Sequence, residues 1–205
     1  MDADARLTVR VPLRCSRIAI QHAVEKHETW ITKKQKHARE HYKPYCAKTF
    51  LEGEKFLYLG NLYPLSYADD GDSGLKYDGR QFTIGSKTMI DAKKLFENWY
   101  RWEASQIIKD RTSHYSKITG IIYRNIRITG AGRRWGSCSH FGDLNFTWRL
   151  AMAPLEVIDS VVVHELMHVE IKGHRNGFWE RVKNYLPDLE SRRKWLKENQ
   201  NLLFL

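Results

Sequence analysis

Apolar and polar residues alternate through residues 6–20 (RLTVRVPLRCSRIAI), a period of two that predicts one or two strands, with Pro12 limiting their pairing. Residues 21–48 change to a helical pattern, with Val24, Trp30 and Ile31 available to pack inward and Lys33 to Lys43 as a solvated face. Between 55 and 85 the alternating stretches KFLYLGNLYPLSY and LKYDGRQFTIG flank the acidic ADDGDSG, which reads as a β-hairpin with a long acidic turn. That turn lacks the third acidic position and the distal Glu of an EF-hand loop, which removes a calcium site.

Residues 88–118 carry the longest helical pattern, with Ile90, Leu95, Trp99, Trp102, Ile107 and Ile108 as its candidate buried positions. A strand (IIYRNIRIT) and a Gly-rich turn (GAGRRWGSCSHFG) follow. The third glycine falls one position late and a strand comes next, so a dinucleotide fingerprint fails. From Asp143 to Leu150, Leu144, Phe146, Trp148 and Leu150 point one way while Asn145, Thr147 and Arg149 point the other. Pro154 is placed to open a helix, with Glu156 near its positive end and Gly173 as a stop, so the helix should run to about Lys172. Two more helices are predicted at 175–186 and 188–200, on either side of Pro187.

Runs of strand and helix that do not alternate regularly make this an α+β chain. At 205 residues it fits one large domain or two small ones. The expected division is a β-rich part with one helix at 1–87 and a catalytic part at 88–205, compatible with one compact unit. Seven Trp among 12% aromatics should fill much of the core with rings. Cys15, Cys46 and Cys138 form no CxxC pair, which argues against a disulfide framework or a cysteine zinc ribbon. No apolar run has the length of a signal peptide or a membrane span, so a reducing, cytoplasmic setting without membrane partners is expected. The net charge of +10 allows nucleic acid as a partner, but residues 1–87 carry +4 and 88–205 carry +6. So even a spread favours a solvated basic surface over a nucleic-acid footprint.

The chemistry sits in HELMHVEIKGH, residues 164–174. His164 and His168 are four apart, about 40° in azimuth on a helix, so both imidazoles can take adjacent corners of one metal tetrahedron. Glu165 lies about 100° around, beside the metal rather than aimed at it, where it can accept a proton from an attacking water. A chance HExxH is expected roughly 0.02 times in a chain of this composition, and nearly all other residues of this helix are apolar. A catalytic zinc wants three protein ligands. His174, turned back by a left-handed Gly173, is preferred for the third over Glu180 and over Glu170, which points away. Arg134 in the Gly-rich turn is a candidate for stabilising an oxyanion, or else caps carbonyls there. Ser137 and Ser139 share that turn. Cys138 reads as a small buried thiol, Phe178 and Trp179 as packing residues, and Asp159 and Asp188 as groups that could orient ligand histidines.

RRWGSCS (133–139), DLNFTWRL, VIDSVVVHELMH and HRNGFW (174–179) together resemble the YgjP-like family of metallopeptidases, most strongly from 133 to 187. The resemblance implies a zincin-like fold, with a twisted sheet packed on the HExxH helix. It further implies His164, His168 and His174 as Zn2+ ligands, Glu165 as the catalytic base and a polypeptide substrate. By the same token the strand beside the active helix, here Asp143 to Leu150, would hold the substrate as an added strand. Two alternatives stay open: a nucleoside triphosphate hydrolase using the same metal, as relatives have been described, with Arg133 and Arg134 on the phosphates, and a nucleic-acid module with structural zinc. The chain departs from the family at Gly173, where Asn is common.

Overall fold

The protein is described from a computed structural model, which covers residues 7–12, 14–41, 47–68, 74–85 and 91–205. The chain divides into two compact units, 1–46 and 47–205, so the boundary expected at 87/88 falls inside the second.

In the first unit the expected strands over 6–20 do not form among the described residues. Ser16 caps a helix instead, its hydroxyl accepting the Ala19 N–H at 3.2 Å, and α1 runs Arg17–Lys26. Alternation gave residues 7–12 a strand-like pattern, but a strand also needs a partner for its main-chain groups. Helix α2 follows at Glu28–His41. Lys33, Lys34 and Lys36 are exposed as expected, and Val24, Trp30 and Ile31 line an open apolar groove, with Trp30 still 57% exposed.

The second unit begins with a four-stranded sheet: β1 (Lys55–Tyr58), β2 (Asn61–Ala68), β3 (Leu75–Tyr77) and β4 (Phe82–Gly85), in the order β1-β2-β4-β3. In place of one hairpin across the acidic stretch there are two, β1–β2 and β3–β4, joined by parallel pairing of β2 with β4. Each stretch carries its own turn. Leu59 and Gly60 both take positive φ (47° and 81°), the backbone of a two-residue hairpin loop. The Asp78 carboxylate accepts the N–H groups of Arg80 and Gln81 at the other turn. Residues 69–73 of the acidic stretch, and Ile90, lie outside the described residues.

Helix α3 (Ala92–Thr119) buries a stripe spaced mostly by four: Ala92, Phe96, Tyr100, Ala104, Ile108, Thr112 and Tyr115. Of the residues expected inside, Ile108 is buried, Leu95, Trp99 and Ile107 are half-buried, and Trp102 is 60% exposed. The true stripe mixes Tyr, Ala and Thr, so a search for large apolar residues chose a neighbouring face. Rings do fill the core: Phe56 stacks on Phe96 at 4.1 Å, and Tyr100 on Trp148 at 5.9 Å.

A three-stranded sheet follows: β5 (Asn125–Thr129), β6 (Gly136–Cys138) and β7 (Asp143–Thr147), in the order β5-β7-β6. The alternation read over 143–150 holds as far as Phe146; Thr147, expected on the polar face, is buried, and a 3-10 turn (Trp148–Met152) then takes over. Two small sheets thus stand where one twisted sheet was expected. Helix α4 (Leu155–Met167) opens after Pro154, and ten of its thirteen residues are buried. It stops at His168 rather than Lys172. Helices α5 (Asn176–Tyr185) and α6 (Leu189–Asn199) lie close to their predicted spans and pack against α4. No described helix is long and apolar enough to cross a membrane.

The rotation of α4 is fixed from α3. Asp159 of α4 is 6% exposed and accepts two bonds from Arg111, at 2.6 and 2.9 Å, and one from the Tyr115 hydroxyl at 3.1 Å. This charge pair holds Arg111 above its ordinary pKa. Arg111→Met should therefore leave a buried carboxylate without its cation and cost roughly 3 kcal/mol, read as a lower urea midpoint. The Arg111→Leu/Asp159→Leu double variant should recover most of that loss. A single variant within about 0.5 kcal/mol of the parent would show that the pair does not hold the helix.

Candidate metal centre

Three imidazoles meet at the end of α4. His164 lies in its last turn, His168 is its C-cap, and His174 returns on the segment before α5. The return is made at Gly173, whose φ of +87° is closed to most side chains. The Nε2 atoms stand 3.2 Å (His164–His168), 3.0 Å (His168–His174) and 3.0 Å (His164–His174) apart. Ligand nitrogens on a tetrahedral metal with bonds of about 2.0–2.1 Å sit roughly 3.3 Å apart, so the spacing fits one ion. Among the described residues, this is the group of ionisable side chains that could hold a metal.

The donor chemistry fits as well. His168 Nδ1 lies 3.0 Å from the Ile171 carbonyl. A carbonyl can only accept, so in the neutral ring the proton is on Nδ1 and the Nε2 lone pair faces the cluster. Burial, with His168, His174 and Arg193 nearby, pulls the His164 pKa down to about 3; burial also lowers that of His168. Both rings are thus neutral, the form that ligates a metal. Phe178 stacks on His168 at 4.5 Å and Trp179 on His174 at 5.5 Å, and the Trp179 indole N–H donates to the His174 carbonyl. These two packing residues therefore form the wall that orients the rings.

Glu165 stands apart from the three nitrogens, as its azimuth required. It is 6% exposed, and burial pushes its pKa up to about 7 against the opposing charge of Arg134. Room for its side chain comes from Gly136 on β6. A Cβ built there would lie 2.6 Å from Glu165 Cγ and 2.7 Å from Oε1. The sequence pattern presents Gly136 only as part of a Gly-rich turn, and its steric role was missed.

Other expected roles resolve differently. Arg134 is exposed, on the loop between β5 and β6. Ser139 is occupied at the β6–β7 turn, accepting the Asp143 N–H at 2.9 Å. Cys138 is half-buried with its thiol pKa raised by burial, in keeping with an inert thiol. Glu170 pairs with Arg181 at 2.6 Å, and Glu180 is exposed outside the histidine group. Asp159 and Asp188 do not orient the histidines: they bind Arg111 and Arg192, and the Ile171 carbonyl orients His168.

Residues 1–199 match the family model described as YgjP-like, metallopeptidase domain. The chain belongs to the YgjP-like family. A search of curated proteins finds no match. The YgjP-like match implies a metal-dependent hydrolase, and the histidine group is where this chain could carry the metal.

Two variants separate the metal from its surroundings. His174→Ala should lower the metal content of purified protein severalfold, whereas Glu180→Ala should leave it at one ion per chain by elemental analysis. Gly136→Ala should keep the metal and yet lose activity, because the added methyl displaces the Glu165 carboxyl. Full activity in Gly136→Ala would show that the close contact does not position the Glu165 carboxyl.

Proposed function

We propose that this protein is a zinc-dependent, zincin-like peptidase in which His164, His168 and His174 hold the ion and Glu165 is the general base. The observation that carries the reading is the convergence of three imidazole nitrogens within 3.2 Å of one another, beside a buried carboxyl with a pKa near 7. A base poised at neutral pH has no role in a purely structural site. Three nitrogen donors suit zinc, and a zinc with three protein ligands keeps a position open. Bound there, zinc supplies Lewis-acid polarisation of a carbonyl and acidifies a water molecule.

The chain's own residues do the rest. Glu165 takes a proton from the attacking water as the new C–O bond forms, then delivers it to the amine as the C–N bond breaks. Burial beneath β6 keeps bulk water from levelling its pKa. Arg134 balances negative charge developing on the substrate carbonyl oxygen.

The substrate strand is β6, not β7. β7 is the central strand of its sheet, with β5 on one side and β6 on the other, so it has no free edge. The bonds Thr147 N–H to Trp135 C=O and Ser139 N–H to Asp143 C=O show that odd-numbered residues of the β6 stretch face β7. Antiparallel alternation then turns the main-chain groups of Gly136 and Cys138 outward, beside Glu165. An extended polypeptide can add to that edge, and Gly136 lets it approach. A nucleotide offers no such ladder.

Glu165→Gln should retain zinc and fold but lose about 10²–10⁴-fold in turnover. Peptides N-methylated at alternate amides should lose cleavage in one register and keep it in the other, since only alternate amides face β6. Incubation of the purified protein with an unfolded polypeptide and, separately, with nucleoside triphosphates, each with and without chelator, decides the class. Triphosphate hydrolysis that needs both zinc and Glu165, with every polypeptide left intact, would overturn the peptidase reading.

A further inference from the structure

The loop from Gly130 to Trp135 joins β5 to β6 and carries Arg133 and Arg134, both exposed. Its first three residues, Gly130, Ala131 and Gly132, have almost no side chain with which to hold a shape, and glycine adds backbone freedom of its own. Three other parts of the second unit supply the grip. Arg149, from the 3-10 turn after β7, donates from Nη1 to the Gly130 carbonyl at 3.0 Å and to the Ala131 carbonyl at 3.5 Å. Arg101 of α3 brings Nη2 to 3.0 Å from where a Cβ on Gly130 would stand. Phe204 lies 3.6 Å from where one on Gly132 would stand. The Arg149 guanidinium is itself held against two rings, 4.4 Å from the Trp148 centroid and 4.9 Å from that of Phe204.

Folding alone does not ask for this arrangement. Gly130 is exposed, so water could serve its carbonyl, and ordering an arginine costs side-chain entropy. What the loop leads to gives the grip a use. At its far end Trp135 C=O accepts the Thr147 N–H at 3.0 Å, and the next residue is Gly136, packed against Glu165. Arg134 precedes Gly136 by two residues, a chain span of at most about 7 Å, so the path of the loop decides where its guanidinium stands relative to Glu165. Resting on the peptidase reading above, we propose that Arg149 is a positioning residue, which holds this loop so that Arg134 meets the charge developing on the substrate carbonyl oxygen. Phe204 acts one step further back, by keeping the Arg149 guanidinium in place. Neither residue touches substrate. Loosened, the loop spreads Arg134 over many positions, and a contact made only in the transition state is lost.

Kinetics of the zinc-loaded protein on an unfolded polypeptide test the linkage. Arg134→Ala should lower kcat about 100-fold. Arg149→Met should lower it about tenfold while KM stays within about twofold, the mark of a contact absent from the ground state. Arg149→Lys, which keeps a donor and a charge over the rings, should recover most of that loss, and Phe204→Ser should reproduce part of it. The double variant Arg134→Ala/Arg149→Met should fall no more than about threefold below Arg134→Ala, where independent losses would multiply to about 1,000-fold. A second measurement needs no turnover. Backbone 15N order parameters at Gly132 to Arg134, taken without substrate, should fall from about 0.85 to below about 0.6 in Arg149→Met, with α4 unchanged. Losses that multiply, a rigid loop in Arg149→Met, or full kcat in Arg134→Ala overturns the positioning role. A wild-type protein that leaves every polypeptide intact overturns the peptidase reading instead, and the order parameters then still decide whether Arg149 holds the loop.

Discussion

Helix α4 carries ionisable side chains into an apolar core, and that burden organises its neighbours. Asp159, His164 and Glu165 share thirteen residues with seven buried apolar ones. Burying an unpaired charge is expensive, so each group needs a remedy. Asp159 is met by the Arg111 guanidinium and the Tyr115 hydroxyl. His164 stays neutral because burial and its neighbours suppress its protonation. The Glu165 carboxyl feels the charge of Arg134, but burial outweighs it and moves its ionisation to about pH 7. The first remedy is structural and the last leaves a base in working range, so one constraint yields both scaffold and chemistry.

Support reaches α4 through the aromatic core. Phe56 and Phe82 of the first sheet clasp Phe96 of α3, and Tyr100 of α3 stacks on Trp148 ahead of α4. The Leu59–Gly60 loop donates N–H groups to Ala151 and Met152, and Gly60 lies tight against Pro154, where α4 begins. A bulkier residue at Gly60 would push on the start of the very helix whose far end gathers the histidines.

The site was more legible than its frame. Spacing alone placed His164, His168 and Glu165 relative to one another, because four residues on a helix leave little freedom. Gly173 before His174 was legible because a turn so tight needs a left-handed residue. The helix end was not, since apolar residues continue through Val169 and Ile171 whether or not the backbone stays helical. Asp159 pairs with a residue 48 positions away, which no local pattern encodes. Strand order failed for the same reason: alternation tells which face of β7 is buried, not which strands flank it. Gly136 looked like any turn glycine because its role is defined by a side chain 29 residues on.

The early end of α4 has an electrostatic meaning. Peptide dipoles in a helix sum to a partial negative charge at its C-terminus, felt within about the last turn. With the helix stopping at Met167, that pole falls among His164, His168 and the returning His174, not a turn beyond them. A cation held there gains on the order of 0.3–1 kcal/mol, and Lys172 adds its ammonium to the His168 carbonyl at the same end. The length of one helix thus adds a small electrostatic pull on whatever cation the three imidazoles hold.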